Sequence, residues 1–117
     1  MPASNYANLV LQAVSLTASG AVTKERFVKH NGAACGLGER AIGVAAYTAA
    51  TTEDACAYTG IIRVVAGDTV AIGGDVMSDA TGRAIPFVQN SAETYCKVGV
   101  AHTAGTVGAI MLVQTAV

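Results

Sequence analysis

The chain has 117 residues, of which 52% are hydrophobic and only 13% are charged, and its formal net charge at pH 7 is −1. A typical soluble domain carries about 25% charged residues, so we expect part of this surface to be covered by other copies or by a larger assembly. The balanced charge and the 5% aromatic content argue against nucleic-acid binding. No apolar run reaches the roughly 18 residues of a membrane span.

The N-terminal region divides into two parts. Residues 1–8 are small and polar and include a proline, which predicts an extended arm. Residues 9–17 (LVLQAVSLT) suit a strand. We place the boundary between an arm, residues 1–15, and a single β domain, residues 16–117. No basic stretch followed by a continuous apolar run opens the sequence, so no secretory signal is predicted and synthesis in a cytoplasm is expected.

Turn signals separate short strands in the first half. Residues 26–30 alternate between apolar and polar side chains, and Asn31-Gly32 after them is a strong hairpin signal. Residues 41–47 predict a further strand. Residues 55–66 (ACAYTGIIRVVA) predict a long strand, in which Gly60 marks a bulge or a close backbone approach.

The second half shows the same kind of pattern. Residues 76–78 precede a turn at 79–82, and residues 84–88 form an edge candidate because Pro86 cannot donate a backbone hydrogen bond. Residues 95–102 and 107–117 predict two closing strands. No apolar period of 3.6 residues runs for more than two turns, so the predicted class is all-β.

The two halves also resemble each other in sequence. Residues 21–34 align with 71–84 at an offset of 50, which matches Val22 with Ile72 and Gly32 with Gly82. Residues 42–45 recur at 98–101, an offset of 56, and three further matches have an offset of 54: Ala50, Thr52 and Ala55 with Ala104, Thr106 and Ala109. A half of this size is too small to bury a core alone. We therefore predict pseudo-repeats at about 16–60 and 66–117 that share one core.

Residues that could carry chemistry are sparse. Three cysteines are far apart in sequence: Cys35, Cys56 and Cys96. This spacing favours free thiols over a disulfide framework or a zinc site. Turn formation explains Asp68, Asp75 and Asp79 better than calcium binding does. No nucleophile–base pair can be argued around the two histidines, His30 and His102, so neither an enzyme nor a cofactor is predicted.

Three charged residues allow two interpretations. Glu39 and Arg40 precede a strand, where they either form a salt bridge between subunits or stay an exposed pair of little energetic value. Arg63 lies inside an apolar strand, where it either faces solvent by alternation or pairs at an interface. We predict all three as oligomer-interface residues.

The order of the glycine-rich motifs resembles that of a known family. The motifs are Ser19-Gly20-Ala21-Val22, the Asn31-Gly32 turn, residues 38–45, residues 60–64 and Val98-Gly99-Val100-Ala101. From about residue 16 to the C-terminus the chain is similar to the DUF2190-type family of bacteriophage capsid decoration (cement) proteins. The resemblance implies a small barrel of the β-clip or β-tulip kind, built from two related halves, with an extended N-terminal arm.

The resemblance also implies a function. Such proteins sit on the outside of the icosahedral head, often as homotrimers, and clamp neighbouring subunits of the major capsid protein, without a cofactor or catalysis. Their arms often contact the capsid, which makes Asn5, Tyr6, Asn8 and Leu9 the predicted capsid-contact residues; tyrosine is enriched at interface hot spots. The alternative is a small ligand- or carbohydrate-binding module of a phage fibre or appendage, although few aromatic side chains are present to stack on sugars.

Overall fold

A computed structural model describes residues 8–89 and 94–115, and within this part of the chain every regular element is a β-strand. The strands are β1 (Leu9–Thr17), β2 (Phe27–Val28), β3 (Gly43–Ala45), β4 (Asp54–Val65), β5 (Asp75–Ser78), β6 (Ala84–Pro86), β7 (Gly99–Ala101) and β8 (Ile110–Thr115). The predicted all-β class is confirmed. The described residues contain no helix long and apolar enough to cross a membrane.

The strands form one antiparallel sheet that curls into a nearly closed barrel. Its order is β2-β3-β4-β8-β7-β5-β6, and β1 pairs with the edge of β4 that lies opposite β3. The backbone N–H of Phe27 in β2 donates to the carbonyl of Gly82 in the β5–β6 turn at 2.8 Å. That bond joins the two ends of the strand order, which confirms the predicted small β-barrel. β6, which carries Pro86, is a terminal strand, as expected.

The long strand β4 organises the core. Its inward side chains, Ile62 and Val64, are at most 1% exposed and pack with Phe27, Val44 and Met111 inside the barrel. Burial of each such side chain stabilises the fold by about 1.5–3 kcal/mol. A second, smaller cluster of mostly small side chains lies in the first half of the chain: Ala18, Val22, Val28, Ala45, Ala49 and Ala55.

The two related halves are present in the backbone. In the first half Val22 bridges Ala49, and in the second half Val70 bridges Gly105 with the same reciprocal hydrogen bonds. The turn after β2 closes with a Val28–Ala34 bridge and the turn after β5 closes with Ser78 opposite Ala84. Equivalent residues of the two halves are therefore 48 positions apart at Val22, 50 positions apart in the turns after β2 and β5, and 56 positions apart at Ala49.

This correspondence corrects the match of Val22 with Ile72 and the three matches that had an offset of 54. Val22 corresponds to Val70 and not to Ile72: Val22 and Val70 are at most 2% exposed, whereas Ile72 is 71% exposed. Thr52 corresponds to Gly108 rather than to Thr106, since each donates its backbone N–H to an equivalent carbonyl, that of Ala18 or Ala66. In each case a residue of similar type lies two positions away from the structurally equivalent one. The burial and hydrogen bonds of the residues identify the equivalent position.

β4 belongs to both halves. Leu16 of β1 pairs with Ala55 at the start of β4, and Val64 near the end of β4 pairs with Met111 of β8. The start of β4 is therefore the last strand of the first half, and its end is the first strand of the second half. The strand pairing of the second half thus includes the end of β4.

The predicted N-terminal arm falls partly on β1. Asn5 and Tyr6 lie outside the described residues. Residues 9–15 pair with β4, and the Asn8 side-chain oxygen accepts a hydrogen bond from the backbone N–H of Arg63 at 2.8 Å. The strand predicted over residues 9–17 is present, and its pairing with β4 continues across residues 15 and 16.

Candidate functional site

β1 exposes more apolar surface than any other strand of the described chain. Eight of its nine residues are exposed, including Leu9 at 57% and Leu11 at 76%. β4 is the one strand that pairs with β1 in the described residues, so the other edge of β1 is open. No charged residue occurs before Lys24. Proteins usually protect such edges with Lys or Pro within the strand, so this edge is suited to contact a partner.

A bulge shapes the open end of β1. The pairing with β4 shifts by one residue between Val10 and Gln12, opposite Gly60, which confirms the irregularity predicted at this glycine. Gly60 has a φ of +132°, and a Cβ atom there would collide with the carbonyl oxygen of Leu9. The hydroxyl of Thr115 accepts from the Gly60 N–H at 2.9 Å.

Two grooves flank β1. One, of about 300 Å³, lies beside the bulge and is mostly apolar; its lining residues are Leu9, Leu11, Gln12, Thr59, Gly60, Ile61, Gln114 and Thr115. The other, of about 360 Å³, is more polar and lies at the far end of β1 beside Tyr47 and Asp54. A partner that follows β1 would therefore meet an apolar groove at one end and a polar one at the other.

Glu39 is held by its own chain. Its Oε1 accepts from the Gly36 backbone N–H at 2.6 Å and from the Lys29 Nζ at 3.2 Å. The hydrogen bond from Gly36, followed by that from Lys29, lowers the pKa of this carboxyl below its ordinary value. Arg40 is exposed and forms no ion pair within the described residues. Of this predicted pair, Arg40 is the one with a free charge.

Arg63 also pairs within the chain. Its Nε lies 3.0 Å from Oε2 of Glu25, and both side chains are mostly buried. The backbone carbonyl of Glu25 accepts from the Val65 N–H at 2.9 Å, so this pair fastens the turn before β2 to β4. Sequence reasoning missed Glu25, because the turn that brings it to β4 is a tertiary feature.

Asp79 builds a turn, as predicted. Its Oδ1 accepts from the backbone N–H groups of Thr81 and Arg83, each at 2.8 Å, and its Oδ2 accepts from Arg83 Nε at 2.9 Å. Partial burial alone would raise the pKa of this carboxyl, but the hydrogen bonds from Arg83 and Thr81 outweigh it and lower the pKa below its ordinary value. This carboxylate stabilises the β5–β6 hairpin.

The buried thiol of Cys35 is not activated as a nucleophile. All three cysteines are free, as predicted, and Cys35 is buried. Burial, followed by the nearby charge of Glu39, raises the pKa of the Cys35 thiol to about 12, so the nucleophilic thiolate is scarce at neutral pH. The described residues contain no cluster of three or more His, Cys, Asp or Glu side chains that could hold a metal ion.

Comparison with known proteins gives one family and one fold. A family model described as phage cement protein matches residues 11–114. A crystal structure of the N base of head fiber gp8.5 from bacteriophage phi29 superposes with a TM-score of 0.69 at 17% sequence identity, over 90% of this chain and 95% of that one. At that identity the likeness shows a shared fold. No curated protein sequence matches the chain.

Proposed function

The chain belongs to the phage cement protein family, and we propose that it binds the outside of the assembled phage head and stabilises it by clamping neighbouring subunits of the major capsid protein. Family membership makes it a structural protein of the virion. The observation that carries the proposal is the extent of the match, which runs from residue 11 in β1 to residue 114 in β8. The proposed site of synthesis is the cytoplasm of the bacterial host.

The proposed capsid contact begins where the chain leaves the barrel. Leu9 starts β1, and Asn8 just before it helps to anchor the strand to β4. The arm residues Asn5 and Tyr6 precede them. An arm fixed at this point can reach a capsid subunit, while β1 stays part of the barrel. Many identical weak contacts on one shell add up by avidity, so a modest affinity for each site suffices to hold the head together.

We propose that the protein forms homotrimers, with Arg40 as the charged contact between subunits. Glu39 supports this role by fixing the loop before Arg40, and Arg63 supports it by fixing the turn at Glu25. A three-fold assembly matches the local three-fold positions that an icosahedral shell offers. The proposed function involves no enzymatic activity and no cofactor.

Head binding tests this proposal directly. Heads of the encoding phage assembled without this protein are mixed with it and sedimented. We expect saturable binding and a higher temperature of head disruption in the bound sample. A protein that stays in the supernatant at all concentrations, with the heads as fragile as before, would overturn the proposal.

A second candidate function is a ligand- or carbohydrate-binding module of a phage fibre. The apolar groove beside the bulge and the fold shared with a head fiber base favour it. Glycan-dependent binding without binding to heads would support this candidate over the first.

A further inference from the structure

We infer that the open edge of β1 is where copies of this chain associate, with residues 8–10 of one copy lying antiparallel to residues 12–15 of β1 in its neighbour. The inference rests on the proposed function and specifies the contact between subunits. It follows from comparing β1 with its equivalent in the second half of the molecule.

The equivalent of β1 is the second part of β4. Val14 pairs with Ala57 in the first half as Ile62 pairs with Val113 in the second. The same offset of 48 holds for Leu16 and Val64, whose partners are Ala55 and Met111. The two strands are thus the same element in the two halves.

In the second half, this element is the second part of β4, and its outer edge is the edge that does not pair with β8. The start of the chain covers that edge. Leu9 and Val10 pair with Ile61 and Gly60. The Asn8 side chain accepts the hydrogen bond of the Arg63 N–H. An uncharged, extended, antiparallel segment therefore covers the edge.

The first half lacks such a cover. The positions equivalent to Gly60, Ile61 and Arg63 are Gln12, Ala13 and Ser15, and all three are exposed. No other strand of the described chain reaches them. Residues 8–10 of a neighbouring copy have the required character: they are uncharged, already extended, and open along their own outer edge.

Charge and geometry favour a second copy as the occupant. β1 and all residues before it are uncharged, so two β1 strands meet without like charges facing each other. Each copy offers both parts of the contact, since its residues 8–10 can cover one neighbour while its residues 12–15 are covered by another. The bulge at Leu11 bends the strand, which lets residues 8–10 and 12–15 face different neighbours and is compatible with a three-fold ring.

The solution mass of charged variants tests the contact. Leu11 is 76% exposed, so Leu11→Lys and Leu11→Glu leave the fold intact, as circular dichroism will verify. We expect the wild type to be oligomeric, each variant alone to be monomeric, and an equimolar mixture of the two variants to reassociate. The matched control is Ile72→Lys, at a position 71% exposed in the other half, which keeps the wild-type mass.

The outcomes separate this inference from the proposed function. Leu11→Lys with the wild-type mass overturns the inference, as does a monomeric wild type that still binds heads; in both cases the proposed head binding stands. Loss of head binding by Leu11→Lys without a change in mass also overturns it, because the edge then faces the capsid protein. A wild type that ignores heads overturns the proposed function.

Disulfide trapping tests the register. Leu9→Cys and Ala13→Cys are made separately in a chain in which Cys56 and Cys96 are replaced by Ser, and are then mixed and oxidised. We expect a covalent dimer in this mixture and none when Ile72→Cys replaces Leu9→Cys. No cross-link in the first mixture, or equal cross-linking in both, overturns the inference.

Discussion

Two equivalent glycines permit the close approach of strands in both halves. A Cβ atom at Gly43 would lie 2.7 Å from the carbonyl oxygen of Tyr58, and one at Gly99 would lie 2.5 Å from that of Gln114. Tyr58 and Gln114 are themselves equivalent, with the offset of 56. The glycines of the repeated Gly-Val-Ala motif therefore serve packing, and the repeat was detectable in the sequence because both copies need them.

Gly43→Ala and Gly99→Ala should each lower the free energy of unfolding by about 1–3 kcal/mol, the usual range for overpacking a tight site. Chemical denaturation measures the change. Gly20→Ala is the control, because the nearest atom to its Cβ would be that of Ala33 at 3.7 Å. Wild-type stability in both variants would show that these strands can move apart from their neighbours without lowering the free energy of unfolding.

A second pair of equivalent positions differs in strain. Thr52 has a φ of +74° and its counterpart Gly108 has a φ of +82°. A β-branched residue in this region is strained, by about 1–2 kcal/mol, whereas glycine is not.

Thr52→Gly should therefore stabilise the protein by up to about 1 kcal/mol, since the relief of strain exceeds the added flexibility of the unfolded chain. The reciprocal change, Gly108→Thr, should destabilise it. Thermal unfolding of both variants checks the sign, and a lower melting temperature for Thr52→Gly would contradict this account of the turn.

The buried thiol makes a prediction about reactivity. With a pKa of about 12, Cys35 should not react with a thiol reagent at pH 8 in the folded protein. Cys56 and Cys96 are half-buried and should react first. Titration in denaturant without reductant should find three thiols, and fewer than three would reveal a disulfide.

At the scale of elements, the β5–β6 hairpin depends on one carboxylate. The pKa of Asp79 is lower in the folded protein than its ordinary value. Its contribution is therefore fully present above the ordinary carboxyl pKa and is lost as the pH falls through the lower, folded value.

Asp79→Asn should reduce stability at neutral pH and should flatten the loss of stability in acid relative to the wild type. Denaturation curves between about pH 2 and pH 7 measure both effects. The comparison is Glu53→Gln, at an exposed carboxylate that also accepts a backbone hydrogen bond in a turn. Identical pH profiles for wild type and Asp79→Asn would refute the assignment.

At the scale of the whole molecule, residues 1–7 precede the sheet, whereas the residues from Leu9 onward belong to it as β1. Deleting residues 1–7 leaves β1 in place, so the protein should stay folded and oligomeric while losing head binding. Deleting residues 1–14 also removes most of β1 and uncovers the edge of β4, so it should lower stability and promote aggregation. Sedimentation with heads and solution mass distinguish the two variants, and full head binding without residues 1–7 would exclude the arm as the contact.

The sequence alone determined the strand class, the turns, the existence of two halves and the resemblance to cement proteins, because these depend on local chemistry: glycine and asparagine in turns, alternation in strands and the spacing of motifs. The tertiary structure decided which residues correspond between the halves, that β4 serves both, and that Glu25 pairs with Arg63. It also decided that β1 keeps an open edge. These features depend on burial and on contacts between residues far apart in the chain, and the similarity of residue types along the sequence does not reveal such contacts.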